Sequence, residues 1–128
     1  MNESEVSRPP TNVAVLRGVV RGEPMSRALP GGGVVVQFDV VTAVATDGRI
    51  SNASVPVAWN DPSAKLLACV VDGIELLVVG RVQRRFFRVG GATQSRTEVV
   101  AESVIPARRR KQVDAALGAV VDRLCPPC

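Results

Sequence analysis

Residues 54–87 read SVPVAWNDPSAKLLACVVDGIELLVVGRVQRRFF, and the order of elements within them decides the fold. Ser54–Trp59 has the valine-rich texture of a strand. Asp61-Pro62 then has the form of a helix start: an aspartate to accept from the first free N–H groups, and a proline where no amide hydrogen is needed. A short helix is predicted over Ser63–Val71, closed by Asp72-Gly73. Ile74–Val89 returns to strand texture, Gly90-Gly91 opens a hairpin loop, and Thr97–Ile105 (TEVVAESVI) is a further strand.

Upstream, Asn12–Arg21 (NVAVLRGVVR) is predicted as a strand with a bulge or bend at Gly18. Leu29–Gly33 (LPGGG) is a turn, Val34–Ala45 a long and mostly buried strand, and Thr46–Arg49 the start of a flexible connection. The resulting order, β-β-β-α-β-β, is that of the all-β, five-stranded Greek-key OB barrel, whose open face commonly binds single-stranded nucleic acid. Three zones are expected: a polar N-terminal tail over residues 1–11, the barrel over residues 12–105, and a basic linker with an added C-terminal helix over residues 106–128.

Composition narrows the chemistry. The 128 residues suffice for one domain with its own core. There is no histidine and no tyrosine, which excludes His-dependent triads, His-containing zinc sites and imidazole acid–base catalysis. No enzymatic activity, cofactor or metal is expected. Sixteen basic residues against twelve acidic leave a net charge of +4, a mild bias toward an anionic partner. Cys69, Cys125 and Cys128 are too few and too oddly placed for a secreted disulfide framework. The opening MNESEVSRPP has no apolar core of a signal peptide, and no stretch approaches the roughly 18 apolar residues of a membrane span. A cytoplasmic, nucleoid-associated protein is expected.

A binder of single strands needs cations for phosphates and aromatic faces for bases. Between Arg81 and Thr97 stand five arginines (Arg81, Arg84, Arg85, Arg88 and Arg96), two phenylalanines (Phe86 and Phe87) and no acidic residue. Strand alternation puts Arg81, Gln83, Arg85 and Phe87 on one face, and Val82, Arg84, Phe86 and Arg88 on the other. The competing reading is a solvated basic hairpin with Phe86 or Phe87 plugging the core. Trp59 is a second candidate platform, or else a core residue closing the barrel against its helix. Phe38 reads as core, and Asn12 and Gly18 as structural. Arg17, Arg21, Arg27 and Arg49 either extend the cationic track or are merely solvated.

The C-terminal zone has a different period. Val113, Ala116, Leu117, Val120, Val121 and Leu124 form an apolar helical stripe. It must pack on its own barrel, on a second subunit or on a partner protein, and a protein contact is the favoured expectation. Arg108–Lys111 (RRRK) opposes the helix dipole at an N-terminus, so it either contacts phosphate or solvates a linker. Cys125-Pro-Pro-Cys128 has C-x-x-C spacing but neither a thioredoxin-like context nor a second pair for zinc. Cys69 reads as a small buried apolar residue.

The order of elements is matched by a longer motif. Asn12-x-x-x-Leu16-x-Gly18-x-Val20-x-x-x-Pro24-x-x-Arg27-x-Leu29-Pro30-x-Gly32-Gly33 resembles, without a gap, the opening of bacterial single-stranded DNA-binding proteins. Phe38 and Thr42 continue the register. Trp59 falls at an aromatic position shared with actinobacterial members, Gly73 and Gly80 keep their spacing from it, and Arg81–Phe87 (RVQRRFF) resembles the strand that ends in a base-stacking residue. The resemblance covers residues 12–105. It implies sequence-independent binding of single-stranded DNA in replication, recombination or repair, with stacking on Trp59 and Phe87, and assembly as a homo-oligomer (tetramer or dimer).

Two departures stand out. Ala53 lies where many members carry a further aromatic, which predicts weaker binding, and the chain ends Arg123-Leu-Cys-Pro-Pro-Cys128 in place of an acidic recruiting tip. The expected nucleic-acid contacts are Trp59, Arg81, Gln83, Arg85, Phe87, Arg88, Arg27 and Arg96. The alternative is an OB-fold adaptor with weak DNA binding that acts in a replication or repair complex through Val113, Leu117, Val120 and Leu124.

Overall fold

A computed structural model of the chain describes residues 10–125; most of the expected N-terminal tail and Cys128 lie outside them. Five strands close into one barrel in the order β1-β2-β3-β5-β4: β1 (Ala14–Ala28), β2 (Val34–Thr46), β3 (Arg49–Asn60), β4 (Glu75–Val89) and β5 (Ala92–Pro106). Helix α1 (Ala64–Leu67) connects β3 to β4, and α2 (Arg110–Leu124) follows β5. All pairings are antiparallel except the short β3–β5 closure, where Val57, Ala58 and Trp59 face Val99, Val100 and Ala101. This is the Greek-key OB barrel with a C-terminal helix.

The period of two sorts the side chains. Val36, Phe38 and Val40 of β2, Val57 and Trp59 of β3, Leu76 and Val78 of β4, and Val99 and Ala101 of β5 all point into one core, joined by Val20. Two glycines permit the tight wall. A Cβ on Gly18 would lie 2.3 Å from the Val41 carbonyl oxygen, and one on Gly80 would lie 2.0 Å from that of Val100. Gly80 also marks a register shift in the β4–β5 ladder.

Several boundaries differ from expectation, for local reasons. Strand β1 runs on to Ala28, because its irregularity falls between Arg21 and Met25 rather than at Gly18; beyond it the strand still pairs with β2. Thr46–Arg49 is no flexible connection. Asp47 and Gly48 both have positive φ (50° and 76°), which suits a tight hairpin turn, and β3 pairs with β2 from Arg49 onward. Strand β5 likewise begins at Ala92, directly after the Gly90-Gly91 turn. Asp61 does not cap α1. Its carboxylate accepts from the Val34 N–H at 2.8 Å while its own N–H donates to the Val34 carbonyl, tying the end of β3 to the start of β2. Ser63 is the cap, accepting from the Leu66 N–H at 3.2 Å, and the helix stops at Leu67.

Helix α2 lies against the outside of its own barrel. Val113 and Val120 pack on Leu77 and Val79, with Val13, Ile105 and Ala116 around them, and Arg123 pairs with Glu102 at 3.0 Å. The expected stripe is thus divided. Val113 and Val120 are buried, whereas Leu117, Val121 and Leu124 remain 37%, 58% and 53% exposed. The favoured expectation of a contact with another protein fails for Val113 and Val120, because Leu77 and Val79 form an outward-facing apolar patch that this helix covers, together with Val13 and Ile105. In the basic run, Arg109 reaches back to the turn after α1 and donates to the Cys69 Sγ at 3.7 Å, a role neither phosphate binding nor solvation anticipates. Cys69 is half-buried rather than buried, and Cys125 is exposed.

Candidate nucleic-acid interface

The outer face of β2, β3, β5 and β4 carries the candidate site, and cross-strand pairing builds it row by row. Gln37 faces Ala58, Ala58 faces Val100, and Val100 faces Arg81. One row further, Gln83 faces Glu98; beyond that Arg85 faces Arg96, and Phe87 faces Gln94. Residues directly opposite share a face of the sheet. The small side chains of Ala58 and Val100 leave a shallow groove of about 180 Å³, with Val35 and Leu29 at one end and the side chains of Arg27, Asn60, Arg81, Gln83, Arg85 and Glu98 around it.

Of the expected contacts, Arg27, Arg81, Gln83 and Arg85 therefore line one groove. Phe87 adjoins it, half-buried, with the Arg85 guanidinium carbon 5.8 Å from its ring centroid, within cation–π reach. Neither phenylalanine of the hairpin plugs the core; Phe86, on the opposite face, is 66% exposed.

Three expected contacts stand elsewhere. Trp59 is only 6% exposed and meets Phe38 edge-to-face, ring centroids 6.5 Å apart and planes at 75°. A ring enclosed in the core offers no open face to a base, so it closes the barrel instead. Arg88 falls with Arg84 and Phe86 on the face away from the groove, as strand alternation requires, and is paired with Thr93. Arg96 starts on the groove face but leans to Asp39 of β2, 3.8 Å away, outside the groove.

Glu98 is the residue that sequence reasoning missed. It is 4% exposed and is the one buried charged side chain among the described residues. Its Oε1 lies 3.3 Å from the Arg85 Nε, so the guanidinium is not a free cation, and that Nε is buried without a hydrogen bond. The acid-free stretch ends one residue before it, and its signal was a glutamate set on the same alternation as Val100 within the apolar run TEVVA. Asn12 has a structural role: its side chain donates to the Val82 carbonyl at 2.8 Å and accepts from the Val82 N–H at 2.9 Å, a two-bond imitation of a strand neighbour.

No protein-family model matches the chain, and no curated protein matches it. Among solved structures, the chain is similar to the Plasmodium falciparum SSB in complex with ssDNA, with a TM-score of 0.67 and 18% identity over 78% of this chain and 97% of that one. At that identity the likeness is one of fold, and it agrees with the barrel described above.

Proposed function

We propose that the chain binds single-stranded DNA through the outer face of its OB barrel, without catalysis. The observation that carries this reading is the gathering of Arg27, Arg81 and Arg85 in one groove, with the half-buried ring of Phe87 beside Arg85. Guanidinium groups neutralise phosphates that every strand supplies, and a ring face stacks on any base, so the bulk of the affinity is independent of sequence. The barrel shared with an SSB solved on ssDNA supports the same reading. The resemblance noted in the sequence adds a role in replication, recombination or repair, and a homo-oligomeric state. No helix among the described residues is long and apolar enough to cross a membrane.

Fluorescence anisotropy with a labelled oligo(dT) tests the proposal. Saturable binding at low salt that weakens steeply as salt rises is expected; an unchanged anisotropy at low salt would remove it. The adaptor alternative retains one specific support, the exposed strip of Leu117, Val121 and Leu124 on α2. Mass measurement of the pure protein, and of a Leu117→Ser/Val121→Ser variant, separates self-association from a monomer that waits for a partner.

A further inference from the structure

The groove holds a feature that phosphate neutralisation does not call for: a carboxylate on its wall. A negative charge among arginines weakens the attraction for a polyanion. Glu98 is also buried, and a buried charge is tolerated only where it is well paired. Its pairing here is thin. Arg85 is its only ion-pair partner among the described residues, through Nε at 3.3 Å, and the geometry leaves that Nε without a hydrogen bond. An ionised carboxylate has two oxygens and accepts from several donors at once, so Glu98 keeps accepting capacity directed at the groove it lines.

The surroundings suit the flat edge of a base. Ala58 and Val100 give an apolar floor and Val35 an apolar end, all three under 9% exposed. Gln37, Asn60 and Gln83 ring the same groove, and their amides both donate and accept. Gln83 stands directly across the ladder from Glu98.

Resting on the single-strand binding proposed above, we infer that Glu98 makes this groove a subsite for a base that presents an amino group, so that one position of the bound strand is read while the rest is merely held. A carboxylate only accepts. It takes N–H donors such as the cytosine N4 amino group, and it repels an edge that offers a carbonyl oxygen at the same place, as uracil and thymine do. An ion pair that served only to hold Arg85 in place would discriminate between no two bases.

The test compares oligo(dC) with oligo(dU) of equal length, two ligands that differ at C4 (amino against carbonyl) and in whether N3 carries a hydrogen, by anisotropy competition against the intact protein at mildly alkaline pH. Tighter binding of oligo(dC), on the order of fivefold or more, is expected. Glu98→Gln should bring the ratio of the two affinities toward one, because an amide can donate to the carbonyl as well as accept from the amino group. An oligonucleotide of N4,N4-dimethylcytidine, which lacks both donor hydrogens, should bind the native protein no better than oligo(dU); this measurement stands even if the variant does not fold. Equal affinity of the native protein for oligo(dC) and oligo(dU) would overturn the subsite while leaving single-strand binding intact. So would a Glu98→Gln protein that loses both ligands by the same factor, since Glu98 would then only position Arg85. Binding of neither oligonucleotide would sink the proposed function itself, and the subsite with it.

Discussion

Trp59 meets Phe38 of the neighbouring strand edge-on inside the barrel, ring centroids 6.5 Å apart and planes at 75°. This contact takes the single tryptophan out of the nucleic-acid face and makes it a reporter of the core. Its emission should be that of a shielded indole and should not be quenched when oligo(dT) saturates the protein. Trp59→Ala should cost about 3–5 kcal/mol by chemical denaturation, the usual cost of truncating a large buried aromatic. Strong quenching by the oligonucleotide would show that the ring is reached after all.

The two adjacent phenylalanines should behave oppositely. Phe87 stands on the groove face beside Arg85, and Phe86 on the other face of the same hairpin. Phe87→Ala should weaken oligo(dT) binding by about 1–3 kcal/mol, the range for losing one stacked base. Phe86→Ala should leave it within experimental error. Titration of both variants under one salt condition decides the matter, and equal losses would contradict the assigned faces.

Arg81 is exposed and lines the groove, with no ion-pair partner among the described residues. Each phosphate neutralised on a single strand contributes about −0.7 to the slope of log K against log salt. Arg81→Ala should flatten that slope by up to this amount, whereas Arg88→Ala, on the far face, should change it less. A slope unaltered by Arg81→Ala would place the phosphates elsewhere.

Helix α2 should contribute to stability. Leu77 is 3% exposed beneath Val113 and Val120, so Leu77→Ala should cost roughly 2–5 kcal/mol. Removing residues 110–128 should lower the melting temperature by uncovering Leu77 and Val79, and leave the groove residues in place. Thermal melts of the full chain and the truncated one, with anisotropy on each, separate these effects. A truncated chain as stable as the full one would mean that the helix does not cover this patch in solution.

Much of this was legible in the residues alone, because it depends on neighbours in the chain. Alternation within RVQRRFF sorted Arg81, Gln83, Arg85 and Phe87 from Arg84, Phe86 and Arg88, since a strand turns successive side chains to opposite faces whatever it pairs with. The same rule sets Trp59 on one face of its strand with Val55 and Val57, and the structure turns that face into the core, whereas the sequence reading set Trp59 as a stacking platform. The order of strands and helix likewise follows from local texture and turn residues. What alternation cannot say is which face meets which strand. That Arg27 joins Arg81 and Arg85 over Ala58 and Val100, that Glu98 neutralises Arg85, and that Asp61 ties Val34 instead of capping a helix all depend on register between segments far apart in the chain. So does the division of the α2 stripe, because only barrel closure turns Leu77 and Val79 outward as one apolar patch for Val113 and Val120 to cover. Those pairings are set by the burial of the whole core at once, and no short stretch of sequence carries that information.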